Sequence, residues 1–228
     1  MPPREISGIF IEGDRNMKKI SFLLVYFLTP SIPVFLYLRS SGFILDSYSF
    51  SIVAGVYAFI LLCNQFILAA RPSPAVAALG LKGLLSFHSS MAFLVLALAV
   101  VHRALKMDVG FSFDTLQATL GAVVWWVFFF TMVFAVLFMA NTFILKIEFF
   151  VKFKRFVMQS THLTYNGARI VHNITVPAGI GILIHVVLAS SSNFTANPSG
   201  LGYMVVWMLF SLLFYFGYRL KHRTNKGK

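Results

Sequence analysis

The chain has 228 residues and a formal net charge of +12, and 58% of its residues are hydrophobic against 11% charged, for a mean hydropathy of +0.81. Soluble domains average about 45–50% apolar and about 25% charged residues, so a soluble globular fold is excluded and one all-α integral membrane domain is expected. The basic residues sit at the ends of apolar runs rather than in one block, which removes nucleic acid as a partner, and the lone Cys63 leaves neither a disulfide framework nor a cysteine metal site.

In chain order, residues 1–19 are expected to form a cytoplasmic N-terminal segment, in which Met17-Lys18-Lys19 marks an alternative start. Six apolar runs of membrane-spanning length follow, at about 20–38, 49–70, 83–105, 118–142, 167–189 and 201–219, and residues 220–228 form a basic tail. Pro30 and Pro33 fall in the first run, where neighbouring helices can satisfy the freed backbone groups. The breaks fall at Arg39-Ser40-Ser41-Gly42, at Arg71-Pro72-Ser73-Pro74, between Asp108 and Asp114, between Lys146 and Asn166, and between Ser190 and Gly200.

Alternating the sides of a six-helix bundle puts sixteen Lys and Arg on one face and only Arg39, Arg103 and Lys106 on the other. The excess of positive charge marks the cytoplasmic face. Both termini are therefore expected in the cytoplasm, with the protein in a plasma membrane or a bacterial inner membrane. The stretch Lys146 to Met158 interleaves aromatic and basic residues, which suits an interfacial helix among anionic headgroups or a docking surface for a soluble redox partner. On the opposite side, Asn193-Phe194-Thr195 is a glycosylation sequon, informative only in a eukaryotic host.

Of six histidines, His162 in the fourth connection and His222 in the tail read as solvated surface residues. The other four lie inside spans: His88 and His102 in the third, His172 and His185 in the fifth. Ionisable groups within spans are rare and usually functional. Fourteen positions separate His88 from His102, about 21 Å of rise and close to four turns, so both rings project from nearly one face. The third and fifth spans start on the same side, which brings His88 level with His172 and His102 level with His185. Two histidines at one depth suit axial ligation of haem iron, and two such pairs make a two-step electron path. The thirteen-residue spacing of His172 and His185 does not return to one face of a straight helix, and Pro177, Gly179 and Gly181 between them predict a distortion that re-aims one ring.

With these residues in place, the chain resembles the ferric-reductase-like transmembrane domain shared by NADPH oxidases and ferric-chelate reductases. The resemblance covers roughly residues 20–219 and rests on His88-(x13)-His102 and His172-(x12)-His185, with Arg71-Pro72 after the second span and Tyr165 to Val171 leading into His172. It implies two haem b groups, an inner one on His88 and His172 and an outer one on His102 and His185, and no catalytic side chain. Most members continue into a flavin and nicotinamide module. Here no glycine-rich phosphate loop follows the sixth span, so FAD and NAD(P)H are expected only through a partner protein, or quinol replaces them. The chain is also similar to the stand-alone bacterial haem subunit that serves a periplasmic methionine sulfoxide reductase, but that relative lacks a counterpart of His88. Residues 42–70 contain no arginine, unlike the animal oxidases, which place one near the outer haem.

The implied role is a transmembrane electron-transfer subunit of an oxidoreductase, running from a cytoplasmic flavoprotein or quinol to ferric chelate, oxygen or a periplasmic redox protein outside. Arg71, Lys82, Arg103 and Arg169 lie near the faces, where pairing with haem propionates and anchoring in headgroups are equally open. The run Trp125-Trp126-Val127-Phe128-Phe129-Phe130 is read as lining the gap between haems or as packing surface. The competing classes are a transporter with histidine relays, disfavoured because no Asp or Glu lies in any span, and a structural or assembly subunit.

Overall fold

The computed structural model describes residues 3–112, 114–139, 147–162, 164–189 and 195–224, with the side chains of residues 3–15, 219, 220 and 222–224 outside that description. Helix is the regular structure throughout the described residues: α1 (Pro3–Leu28), α2 (Ser31–Ser40), α3 (Ser47–Ala69), α4 (Ser73–Asp108), α5 (Leu116–Phe138), α6 (Glu148–Ser160), α7 (Tyr165–His172), α8 (Thr175–Val187) and α9 (Pro198–Thr224). Six helical segments are long and apolar enough to cross a membrane: Asn16–Ser40, Ser47–Ala69, Ser73–Asp108, Leu116–Phe138, Tyr165–Val187 and Pro198–Tyr218. Each overlaps one of the six expected spans. Positions 140–142 at the end of the expected fourth span, Lys146, and Asn193 and Phe194 of the sequon lie outside the described residues. The chain forms two compact units, Met1–Phe111 with Val187–Lys228, and Ser112–Val186.

In the first unit α3 is the central helix. Ile60, Leu61 and Cys63 are fully buried, and α1, α2, α4 and α9 pack around it. An almost all-apolar helix has no polar stripe to turn outward, so burial on every side is its stable place. Asp46 starts α3 by accepting the Ser49 N–H at 2.7 Å, and this bond holds the Asp46 carboxyl below its usual value.

The first span is broken at Thr29-Pro30. Pro30 and Pro33 have no N–H, which frees the carbonyls of Tyr26 and Thr29 from the helical ladder. Side chains take both: the Tyr26 carbonyl accepts from Thr29 Oγ1 at 2.9 Å and Asn64 Nδ2 at 3.3 Å, and the Thr29 carbonyl accepts from Tyr203 OH at 3.3 Å. Asn64 also donates to Thr29 Oγ1 at 3.0 Å and accepts the Trp207 indole N–H at 2.9 Å. One asparagine thus ties α1, α3 and α9 together where hydrocarbon offers no water as a substitute.

The third span is longer than the sequence indicated and carries a break at Gly80, with φ 68° and ψ 161°. That region is essentially closed to residues with a Cβ. The break precedes His88, so the helix from there to His102 is uninterrupted.

In the second unit α5 packs on α7 and α8. Gly181 lets α8 close on α5, because a Cβ there would stand 2.8 Å from Val124 Cγ2. Close approach through small residues is the usual means of packing helices in lipid. The short α6 exposes Phe149, Phe153 and Phe156 along one stripe and carries a solvent-facing Glu148–Lys152 ion pair at 2.8 Å.

Candidate cofactor-binding histidines

The four histidines within spans are all half-buried, on elements that aim them in two different ways. His88 and His102 share α4 with no break between them, so the near-integral number of turns keeps them on one side of the helix. His172 is the last residue of α7 and His185 lies in α8, with the chain broken at Asn173-Ile174. The cause is Pro177, whose missing N–H leaves the Asn173 carbonyl to be taken by Val176 N at 3.0 Å instead. The His172 carbonyl, released by this shift, accepts from Thr175 Oγ1 at 3.0 Å. The expected distortion between the two histidines is therefore present, and it sits directly beside His172.

The outer member of each sequence pair is held in the same manner. His102 Nδ1 lies 2.8 Å from the Ser51 carbonyl on α3, and His185 Nδ1 lies 2.8 Å from the Gln117 carbonyl on α5. A carbonyl oxygen can only accept, so Nδ1 carries the proton in both rings and the lone pair of the neutral imidazole is on Nε2. Each ring also lies against a glycine: a Cβ at Gly55 would be 2.8 Å from His102 Nδ1, and a Cβ at Gly121 would be 2.8 Å from His185 Nδ1. Ser51 adds a hydroxyl that donates to the His102 carbonyl at 3.3 Å. For His88 and His172 the Nδ1 atoms are shielded from solvent.

These features fit haem ligation. An imidazole that ligates through one nitrogen and donates the other N–H to a carbonyl is the common arrangement at protein-bound metals. Among the described residues no group of three or more His, Cys, Asp or Glu side chains is placed to hold a free metal ion. Axial ligation of haem iron takes only two side chains.

Other residues singled out in the sequence fall differently. His162 is exposed, with φ 52°, and the His222 side chain lies outside the described residues. Arg71, Lys82, Arg103 and Arg169 are exposed. The aromatic run of α5 separates into two ladders, Trp125 stacked on Phe129 with ring centroids 5.3 Å apart and Trp126 stacked on Phe130 at 5.5 Å. Trp126 and Phe130 are exposed. The Trp125 indole nitrogen is buried and has no hydrogen-bond partner among the described residues; it stands one turn beyond Gly121.

Ser51, Gly55, Gln117 and Gly121 were not legible as site residues. Their one signal is a shared spacing, a polar residue four positions before a glycine inside an apolar span. Lys106, counted in the sequence only toward topology, is buried, with its ammonium 3.7 Å from the centre of the Tyr48 ring and 4.8 Å from that of Phe111. It follows His102 by one helical turn. No family model, no curated protein and no solved structure matches the chain.

Proposed function

We propose that this chain is a di-haem b transmembrane electron-transfer subunit, with His88 and His172 on an inner haem and His102 and His185 on an outer one. The observation that carries the reading is the matched hold on His102 and His185, each tied through Nδ1 to a backbone carbonyl at 2.8 Å. The same hold recurs on two helices, and an Nδ1–H donated to a carbonyl is the arrangement common to ligating histidines.

Bound haem b would supply reversible one-electron chemistry. The chain's own contribution is to hold the protons at the two Nδ1 atoms, to exclude water with apolar spans, and to fix the ligand rings. The pairing by depth and the inner and outer assignments come from the span order and the positive-charge bias of the sequence. Electrons would enter from a cytoplasmic flavoprotein or from quinol and leave to ferric chelate, oxygen or a periplasmic redox protein.

The test is a dithionite-reduced minus oxidised spectrum of the purified protein with pyridine haemochrome quantitation. A b-type α-band with two haems per chain is the expected result. Absence of the band would remove the electron-transfer role and leave the histidines as polar packing groups. Reduction by quinol alone, or only by NAD(P)H with an added flavoprotein, then identifies the donor.

A further inference from the structure

We infer that Gly55 and Gly121 are a matched pair of positioning residues that set the tautomer and aim of His102 and His185, and through each ring the midpoint potential of the haem it would ligate. The inference rests on the haem reading above and extends it to residues that lie against the ligand rings.

The same short construction occurs twice. On α3 it is Ser51-Ile-Val-Ala-Gly55, and on α5 it is Gln117-Ala-Thr-Leu-Gly121. In each case the acceptor carbonyl is four residues before the glycine. Within an α-helix that carbonyl already receives the N–H of the residue four positions on. Its second lone pair can be reached from the side only past that later residue's side chain. Glycine removes the obstruction, and the imidazole occupies the space. At Gly55 a Cβ would lie 2.8, 3.1 and 3.3 Å from Nδ1, Cε1 and Cγ of His102; at Gly121 it would lie 2.8 Å from both Cε1 and Nδ1 of His185. Carbon atoms do not pack at such distances, so any other residue would push the ring away and lengthen or break the Nδ1 bond. The two sites belong to different compact units and different helices, so the repetition does not follow from one local accident of packing.

A donated Nδ1–H makes an imidazole a more basic ligand, and a more basic ligand favours the oxidised iron. Weakening that bond must therefore raise the potential. Gly55→Ala and Gly121→Ala are each expected to shift the midpoint potential of one haem upward, or to lose that haem, while the other haem keeps its wild-type potential. Gly202→Ala on α9 is the control, because a Cβ there meets nothing within 4 Å; it should shift neither haem.

Redox titration of the purified full chain, followed at the α-band, reads these outcomes. Both glycine variants retaining two haems at wild-type potentials would overturn the positioning role while leaving the haem assignment intact. A wild-type protein without an α-band would overturn both. If neither variant accumulates, [15N]histidine NMR of the wild-type protein decides: two haem-ligating histidines with a protonated, hydrogen-bonded Nδ1 support the inference, and ligation through Nδ1 overturns it.

Discussion

His102 donates through Nδ1 to the main-chain carbonyl of Ser51, 2.8 Å away across the packing of α4 on α3. The Ser51 hydroxyl bonds the His102 carbonyl at 3.3 Å and also lies 3.3 Å from His102 Nδ1. The carbonyl bond at 2.8 Å is the shorter of the two contacts to Nδ1, so Ser51→Ala should keep the haem content and both midpoint potentials. Its expected effect is a loss of about 1 kcal/mol in stability, the net worth of one hydrogen bond, measured as a lower Tm in detergent. A shifted potential would mean that the hydroxyl, not the carbonyl, holds the ring.

Replacing any one of the four histidines removes an axial ligand from only one of the two proposed haems. His88→Ala and His172→Ala should each reduce haem from two to about one per chain, and the haem that remains should have the same potential in both variants. His162→Ala, altering an exposed residue, should keep the full complement. Unequal residual potentials in the first two variants would break the proposed pairing.

Lys106 places a buried ammonium between Tyr48 and Phe111, one helical turn from His102. A positive charge about 6 Å further along the helix favours the reduced state of a nearby iron. Lys106→Met keeps the packing volume and removes the charge, and the potential of one haem should fall. The titration that follows the glycine variants detects it, with the opposite sign.

Asn64 joins three helices through the break at Pro30 and Pro33. Asn64→Leu fills the space but leaves the Trp207 N–H without its acceptor and the Tyr26 carbonyl with one donor fewer. Polar contacts between membrane helices are worth about 0.6 kcal/mol on average and up to about 1.7, and this residue makes several. A loss near or above that upper value is expected in unfolding titrations, with no change in the haem spectrum.

Pro177→Ala restores the N–H that a continuous helix would give to the Asn173 carbonyl. The break between α7 and α8 should close, turning His172 relative to His185. Perturbation of the inner haem, read as a changed α-band or a lost haem, is the expected result with the outer haem unaltered. Unchanged spectra would show that the break has no part in aiming His172.

Much of this protein was legible without coordinates because hydrocarbon imposes simple rules. A span must be apolar for about twenty residues and must satisfy its own backbone, so the six helices and the four intramembrane histidines follow from composition and spacing. The distortion near Pro177 was legible for the same reason, since proline lacks the N–H a helix needs. The rest depends on which helix lies against which. Nothing along the chain links Ser51 to His102, or Gln117 to His185, and a glycine in an apolar span carries no mark of the ring that fills its space. Lys106 reads as one more basic residue near a membrane face until Tyr48 and Phe111 close around it. The sequence by itself determined the spans and the four ring-bearing positions, because both are properties of single helices in an apolar medium. Only the tertiary structure decided how His102 and His185 are held, because that hold is made by carbonyls and missing side chains on other helices.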